Sequence, residues 1–425
     1  MRIMKNKNDM PIKAVTSGPK HHFFGFHDLC PWDSAGKRVL AMETDFIDRP
    51  PQAGDMAGIC VIDTADGNKL KEVSKTGAWN FHQGSRLRWL PTGEDEIIYN
   101  DRDGARFISV ILNVRTGEKK VLPMPIYTVS PEGDFGLGLN FSRLRKYGGY
   151  GYAGGSEKGL NEPFPKGDGI FRVDLKTGEA KIVVSTYDVA WFNNSPHEDE
   201  YHILTHIAFN PDGTRICFVD KYRLPDGGFL QRFITANPDG TDLYCLPGHI
   251  SHFDWRNNEE ILGYGKFSPG ILALRKAGIF QNPILKPFLN LARKMRGGFK
   301  QKIAGQSYLL FRDKTQNVKR IAAGTLTEDG HPQFSPDRRW VITDTYPDEH
   351  HERTLILYDW ENGKRFDLGK FKSLPEGFGS AWDVSEMRSD LHPRWSRDGR
   401  KICFDSVHEG ARQMYEADIS DIVNG

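Results

Sequence analysis

Residues 331–340, HPQFSPDRRW, form the stretch that decides the fold of this 425-residue chain. Ser-Pro-Asp followed by a basic residue predicts a tight turn, because proline presets φ and aspartate bonds its own backbone. An apolar residue precedes the turn and the apolar run WVITDTY follows it, which is the pattern of a β-hairpin. The phrase returns as HPRWSRDGRK at 392–401, as HIAFNPDGTR at 206–215 and in part as HFDWRNN at 252–258. The chain is therefore built from repeated hairpins.

Seven such turns can be aligned on the aromatic or apolar residue that precedes each of them. These anchors are Trp32, Trp89, Val129, Phe209, Trp255, Phe334 and Trp395. A second series of turns, rich in Asx and Gly, lies between them at 63–67, 113–117, 174–178, 237–240, 313–317 and 359–363. Two hairpins per repeat make a four-stranded antiparallel sheet, and seven such sheets predict an all-β fold, the seven-bladed β-propeller.

The two ends of the chain predict how the ring of blades closes. The last repeat ends after the strand at 415–419 and lacks a fourth strand, whereas PIKAVTS at 11–17 is a strand outside any repeat. We therefore expect the N-terminal strand to complete the last blade. The whole chain, 1–425, is predicted to be one propeller domain with two insertions. One is a Gly- and aromatic-rich loop at about 141–168, and the other is a basic, partly helical segment at about 270–306.

Composition excludes several classes of function. The net charge of +1 provides no field that would recruit nucleic acid. The five cysteines are scattered, with no CxxC spacing, so we expect reduced, buried thiols. The N-terminus lacks the apolar core of a signal peptide, and no apolar stretch has the roughly 18 residues of a membrane span. These features predict a cytoplasmic protein without a membrane span.

Four histidines occupy the same position in four repeats, three residues before the aromatic anchor. They are His206, His252, His331 and His392, from blades four to seven. Because the first strand of a blade lines the central channel, these side chains are expected at one mouth of that channel. Neutral imidazoles that converge are ligands for a divalent transition ion. The alternative is that each histidine only hydrogen-bonds the backbone of a neighbouring blade.

Further candidates are expected on the same face. Arginines near the ends of second strands can pair with carboxylates in bidentate fashion: Arg102, Arg223 and Arg412. In blades one to three the histidine position holds Leu29, Arg86 and Ile126, yet histidines stand nearby at His27 and His82. The glycine-rich insertion adds three tyrosines, Tyr147, Tyr150 and Tyr152.

Several segments resemble a bacterial propeller family related to oligogalacturonate lyases, ulvan lyases and rhamnosyl-glucuronate lyases. They include WNFHQGSRLRWLP, YNDRDGARF, SRLRKYGGYGYAG, SHFDWRNNEEIL, DGHPQFSPDRRWVITDTYPD and DLHPRWSRDGRKICFDSVHEGARQMY. The resemblance implies a seven-bladed propeller that cleaves a uronate-containing saccharide by β-elimination. It also implies catalytic roles for His82 and Tyr150, with Tyr147 or Tyr152 as substitutes for the tyrosine, and metal ligands at His206, His252, His331 and His392. From their expected place on the same face, Arg102 and Arg223 are further catalytic candidates, and His27, Tyr152 and Arg412 are candidate substrate contacts. At YNDR the chain has Asp101 and Arg102 where ulvan-type relatives have a second histidine, which departs from their pattern.

The leading hypothesis is a carbon–oxygen lyase acting on an acidic oligosaccharide or polysaccharide, assisted by manganese or zinc on the four histidines. A glycoside hydrolase on the same scaffold is the first alternative, with rim carboxylates drawn from Asp45, Asp101, Asp344 and Asp405. A propeller that binds glycans or proteins without catalysis is the second. The basic stretch at 275–302 would then contact an acidic partner or an anionic surface.

Overall fold

The computed structural model describes residues 11–146, 149–156, 159–193, 196, 198, 200–223, 229–266 and 306–424, and for Arg223 the backbone alone. By the packing of its backbone the chain divides into two compact units. The first contains 1–99, 112–118 and 333–425, and the second contains 100–111 and 119–332. Each unit is described separately below.

The described residues form seven four-stranded antiparallel sheets, which confirms the all-β, seven-bladed β-propeller. In six sheets the four strands follow one another along the chain, as the paired hairpins of each repeat predict. The strands are short, and the first strand of a blade often has only two residues, as at β22 (Gln333–Phe334) and β26 (Arg394–Trp395).

The remaining strands fall into the same order as the sequence repeats. Blades one to three comprise β2 (His21–Phe23), β3 (Arg38–Thr44), β4 (Ala57–Asp63), β5 (Lys69–Thr76), β6 (Arg88–Trp89), β7 (Glu96–Asp103), β8 (Arg106–Asn113), β9 (Lys119–Leu122), β10 (Thr128–Val129), β11 (Phe135–Gly138), β12 (Gly169–Asp174) and β13 (Ala180–Ser185). Blades four to seven add β14 (Tyr201–Phe209), β15 (Ile216–Arg223), β16 (Phe229–Ala236), β17 (Tyr244–Leu246), β18 (His249–Trp255), β19 (Glu260–Lys266), β20 (Ser307–Arg312), β21 (Val318–Ile321), β23 (Trp340–Asp344), β24 (Glu352–Asp359), β25 (Lys364–Lys372), β27 (Lys401–Ser406) and β28 (Gln413–Asp418).

The seventh sheet is closed by the N-terminal strand, as the sequence predicts. Its order is β1-β28-β27-β26, where β1 is Ile12–Ala14, and Ile12 pairs with Ala417 in antiparallel register. Beyond β1, the amide of Val15 donates to the carbonyl of Met414 at 2.8 Å, and the Thr16 hydroxyl donates to Gln413 Oε1 at 2.6 Å. The two ends of the chain are thus joined within the first unit.

The repeated turn has one hydrogen-bond pattern in several blades. In blade six the amide of Ser335 donates to the carbonyl of Trp340, and the amide of Arg338 donates back to the carbonyl of Ser335. The same pair of bonds recurs after Trp32, Val129, Phe209 and Trp395. The fourth residue of each of these turns has positive φ, and it is glycine everywhere except at Arg338, with φ of 62°.

Each unit has an apolar core between the faces of adjacent sheets. In the first unit, blades six and seven bury a cluster that contains Trp340, Trp395, Phe404 and Tyr415. In the second unit, blades four and five bury a cluster that contains Val219, Phe233, Phe253 and Trp255. The alternation of side chains along each strand accounts for both, because one face of every sheet meets the next blade.

The insertions and the helices complete the description. The insertion at 141–168 begins with α1 (Phe141–Arg145), and α2 (Thr186–Trp191) links blades three and four. The first unit adds a 3-10 helix at Ser380–Val384 and α3 (Ser420–Val423). The basic segment at 275–302 lies outside the described residues. All five cysteines are free, and no helix in the described part of the chain is long and apolar enough to cross a membrane.

The exception in the turn pattern generates a stability prediction. A side chain with a Cβ at positive φ costs about 1 kcal/mol relative to glycine, so Arg338→Gly is expected to stabilise the fold by about that amount. Gly36 stands at the matching position of blade one, has φ of 66°, and has no atom within 4 Å of the point that a Cβ would occupy. Gly36→Ala should therefore destabilise by a similar amount without a clash. Urea denaturation of the two variants tests this, and a loss of stability in Arg338→Gly would contradict it.

Candidate functional site

The position three residues before the anchor is buried in all seven repeats. Its occupants are Leu29, Arg86, Ile126, His206, His252, His331 and His392. Three of them have positive φ, with values of 56° at Arg86, 55° at His206 and 42° at His392. In blade four the strand pairing shifts register between Thr205 and Ala208, on either side of His206. A bulge of this kind changes the direction of the side chain relative to a regular strand. The imidazole of His206 therefore points where a regular β-strand would not direct it.

Two of the predicted metal histidines lie together in the second unit. The ring centroids of His252 and His331 are 4.3 Å apart. Nδ1 of His252 is 3.1 Å from Oδ1 of Asp329, and the hydroxyl of Ser251 donates to the same carboxylate at 3.0 Å. A carboxylate on Nδ1 favours the tautomer in which Nε2 carries the basic lone pair. His252 is therefore oriented to accept a proton or to bind a cation through Nε2.

The third histidine of this unit, His206, lies beside the insertion. Its ring meets that of Tyr150 edge to face, with centroids 5.1 Å apart, and its Nδ1 is 2.9 Å from the Thr205 hydroxyl. The ammonium nitrogen of Lys221 lies 5.4 Å from the centroid of the same tyrosine ring. Of the tyrosines proposed from the sequence, Tyr150 is the one that the structure brings to a predicted metal histidine, whereas Tyr147 lies outside the described residues.

Arg102 and Tyr152 shape the loop that carries Tyr150. Arg102 donates from Nε to the carbonyl of Gly104, and from its two terminal nitrogens to the carbonyls of Ala153 and Gly154. Tyr152 is fully buried and stacks on Phe141, with centroids 4.3 Å apart. The loop also contains Arg143, which binds the carbonyls of His202, Glu162 and Pro163. These contacts give Arg102 and Tyr152 a structural part in positioning the loop.

A buried ion network in blade four was not anticipated from the sequence. Nδ1 of His202 lies 2.9 Å from Asp220, and Arg232 donates to the same carboxylate from Nε at 2.9 Å and from Nη2 at 2.6 Å. Burial acts to raise the pKa of Asp220, but the hydrogen bond with His202 and the neighbouring Arg232 guanidinium outweigh it, so the pKa lies below its ordinary value. Arg232 also binds the carbonyls of Val189 and Phe192, which fastens α2 to the blade.

Asp390 is the centre of the charged cluster in the first unit. Its carboxylate accepts from Nη1 of Arg353 at 2.9 Å and from Nε of Arg388 at 3.0 Å. Nδ1 of His82 lies 3.8 Å from it, and Nε2 of His392 lies 3.7 Å from it. Asp390 and Arg353 are both buried. The structure thus brings together His82 and His392, which the sequence proposed, around a carboxylate that it did not.

The same neighbourhood contains the other first-unit candidates. The ring of His27 lies 6.1 Å from that of His392, whose Nδ1 is 2.9 Å from the carbonyl of Gly25. Arg412 donates to the carbonyl of Phe81 at 2.9 Å, next to His82, and its guanidinium packs on two phenylalanine rings. Arg412 is almost completely buried, and its bond to the carbonyl of Phe81 holds the backbone next to His82.

Of the four carboxylates proposed for a hydrolase, two are bonded to other groups and one is exposed. Both oxygens of Asp405 pair with Arg394 at 3.1 Å, and Asp344 accepts from the amide of His392 at 3.2 Å. The side chain of Asp45 is 81% exposed. Asp101 is partly buried. Because Asp344 and Asp405 are already bonded, they are poorly placed to act as the acid and base of a glycosidase.

Each unit offers a histidine and aspartate combination of the kind that binds divalent ions. Asp390 and His392 present ligand atoms within 4.8 Å of each other in the first unit. In the second, Asp329 stands beside His252, whose ring packs against that of His331. The sequence contained a signal for both carboxylates, since each lies two residues before a register histidine, in DGHP at 329–332 and DLHP at 390–393. The side chain of Arg223 lies outside the described residues.

Comparisons with solved structures show similarity to two oligogalacturonate lyases. One, in complex with manganese, is 14% identical with a TM-score of 0.64, over 98% of this chain and 95% of that chain. The other, from Vibrio parahaemolyticus, is 12% identical with a TM-score of 0.61, over 97% and 94% of the two chains. No family model and no curated protein matches the chain. At these identities the similarity establishes the propeller fold and no more.

The Asp390 cluster generates a prediction on stability. Asp390→Asn removes the charge that balances the buried Arg353, and an unbalanced buried charge costs about 3–5 kcal/mol. Asp45→Asn is the matched control, because its exposed side chain should change stability by less than about 0.5 kcal/mol. The midpoints of urea denaturation measure both. Equal midpoints for the two variants would show that Arg353 does not depend on this carboxylate.

Proposed function

We propose that this propeller is a lyase that cleaves a uronate-containing oligosaccharide by β-elimination. The observation that carries the proposal is the set of buried register histidines, with a carboxylate beside His252 and beside His392 and a tyrosine beside His206, on a fold similar to that of oligogalacturonate lyases. The comparison supports a lyase-like propeller, and the chemistry of the side chains supports elimination. The ulvan and rhamnosyl-glucuronate lyases of the sequence resemblance stay predictions.

Elimination from a uronate requires three things of a site. A base must take the weakly acidic proton beside the carboxylate, a positive group must stabilise the charge that develops there, and an acid must protonate the departing oxygen. In the second unit two groups are placed to move protons. His252 is oriented by Asp329, and Tyr150 stands beside His206 and is partly exposed. We assign the two proton transfers to this pair.

The first unit supplies the remaining candidates. His82 faces Asp390, and this contact would stabilise the positive imidazolium that forms when the ring accepts a proton. Arg353 and Arg388 neutralise Asp390, so the cluster has more positive than negative groups. Arg102 and Arg412 are assigned positioning roles, because their guanidinium groups are bonded to backbone carbonyls. Arg223 stays in the proposal as a catalytic candidate, because the sequence predicts it among the arginines at the ends of second strands.

A divalent ion, manganese or zinc, is part of the proposal. The sequence predicts the register histidines His206, His252, His331 and His392 as its ligands. With the Nε2 of His252 assigned to proton transfer, the candidates left are His206 and His331 in the second unit, and His392 with Asp390 beside it in the first. The ion would supply positive charge to the carboxylate of the uronate, which makes the neighbouring proton more acidic. Imidazole and carboxylate ligands suit manganese and zinc better than an all-oxygen site would.

The substrate assigned by the proposal is an acidic oligosaccharide, and the polymer from which it comes stays open to the assay below. A docking role for the basic stretch at 275–302 stays a prediction from the sequence, since those residues lie outside the described part of the chain. Glycan binding without catalysis is the alternative that the same experiments would reveal.

The assay follows the ultraviolet absorbance of the unsaturated uronate that elimination produces. Incubation with oligogalacturonates and other uronate oligosaccharides is expected to generate this chromophore. His252→Ala and Tyr150→Phe should each lower kcat by roughly 100-fold or more, because each removes a proton-transfer group. His82→Ala tests the first-unit candidate in the same way.

Two variants serve as controls for the assay. His350 is largely exposed and Tyr187 lies on α2, so His350→Ala and Tyr187→Phe should retain wild-type rates. Mass spectrometry of the products separates elimination from hydrolysis, since hydrolysis adds a water to the products. A saturated product, or full activity in all three site variants, would overturn the proposal.

Metal dependence is tested by binding. Titration calorimetry of the chelator-treated protein with Mn²⁺ and with Zn²⁺ is expected to show a site, because imidazole and carboxylate groups cluster at the register positions. His331→Ala and His392→Ala should weaken binding at least about tenfold, whereas His350→Ala should not. A wild-type protein that binds neither ion would remove the metal from the proposal.

A further inference from the structure

Lys221 occupies an unusual place in blade four. Side chains alternate along β15, so Cys217, Val219 and Lys221 lie on the same face of the sheet. Cys217 and Val219 belong to the apolar cluster between blades four and five. The pattern would place another apolar residue at 221. Instead the strand carries an ammonium group there, and lysine is among the residues least often buried unless it is paired.

In the described part of the chain, no carboxylate pairs with Lys221. Its side chain makes neither a hydrogen bond nor an ion pair there, and the centroid of the Tyr150 ring lies 5.4 Å from its ammonium nitrogen. The neighbouring carboxylate along the strand, Asp220, is used by His202 and Arg232 on the opposite face. Burial lowers the pKa of Lys221 to about 8, so the side chain is still mainly protonated at neutral pH.

The neighbours of Lys221 are groups of the candidate site. Tyr150 lies beside both Lys221 and His206. His249 begins the next blade, and desolvation together with the charge of Lys221 lowers the pKa of that ring to about 4. Lys221 therefore brings a positive charge to the side of Tyr150, and the residue is partly exposed.

We propose that Lys221, together with Tyr150, forms a subsite that binds the carboxylate of a uronic acid sugar. The ammonium group pairs with the carboxylate and recovers solvation that it lacks in the free protein. The ring of Tyr150, beside the ammonium, provides an apolar surface for the sugar ring. The inference deepens the function proposed above and rests on it for the class of ligand, but it concerns binding and does not require turnover.

The first test measures the reactivity of Lys221 in the full chain. Trace labelling with acetic anhydride, followed by mass spectrometry of the peptides, reports how accessible each lysine amine is. Saturating trigalacturonate is expected to lower the labelling of Lys221 by about tenfold, whereas its fully methyl-esterified form should not. Lys314, which is about half exposed and paired with Asp242, is the reference lysine and should be unaffected. Equal labelling with and without trigalacturonate, or equal protection by the ester, would overturn the subsite.

The second test uses two substitutions at the same position. Lys221→Met keeps the length of the side chain and removes the charge, and it should fold at least as well, because the residue shares its face with Cys217 and Val219. It is expected to weaken the binding of trigalacturonate by roughly 10- to 100-fold in titration calorimetry. Lys221→Arg keeps the charge and should bind within a few fold of wild type. Unchanged binding in Lys221→Met would contradict the assignment.

The two proposals fail in different ways. If no unsaturated product appears but trigalacturonate protects Lys221 and the methyl ester does not, the result supports the subsite and contradicts the elimination chemistry. If elimination is observed while Lys221→Met retains the wild-type KM and kcat, the result supports the lyase and contradicts the subsite. A rise in KM with a nearly unchanged kcat in Lys221→Met supports both, since it shows lost binding in a working enzyme.

Discussion

The pairing of β1 with β28 is the constraint on which the closed seventh sheet depends. Ile12–Ala14 meet residues of the last strand that lie about 400 positions away along the chain. Closing so long a loop has an entropic cost that grows only slowly with length, so a short strand with a few well-made hydrogen bonds is sufficient. The bonds of Val15 and Thr16 to Met414 and Gln413 extend the join beyond the three paired residues. Without β1, the strand β28 would form an open edge of the sheet.

Much of the fold could be predicted because each repeat encodes its turn locally. A Ser, Asn or Asp after the aromatic anchor bonds the backbone across the turn, and a glycine takes the positive φ that follows, so the same few residues produce the same hairpin wherever they occur. Closure of the last sheet also followed from counting strands. The insertion at 141–168 does not contain this local turn pattern. Its structure depends on Arg102 and Arg143, whose partners are backbone carbonyls far away in the sequence.

The candidate site could be predicted only in part. The histidines could be recognised because they repeat in register, and Asp329 and Asp390 each precede one of them by two residues, but which histidine a carboxylate contacts is decided by packing. Asp329 reaches His252 across 77 positions of sequence. Arg102, Tyr152 and Arg412 have the residue types of a binding site, and their contacts to loop carbonyls and rings became visible only in the structure. The sequence carries no functional signal at Lys221, because a single lysine in a strand does not reveal which side chains surround it in the fold.

The left-handed conformation at His206 and His392 has a consequence for how this sequence can change over time. Any residue other than glycine is disfavoured at such a position, although histidine is tolerated there better than most. Glycine at either place would remove the backbone strain but also the contacts of the imidazole, such as the one between His392 and the carbonyl of Gly25. Each histidine therefore keeps a side chain where the backbone alone would favour glycine, and such local losses of stability are what keep natural proteins short of their most stable sequence.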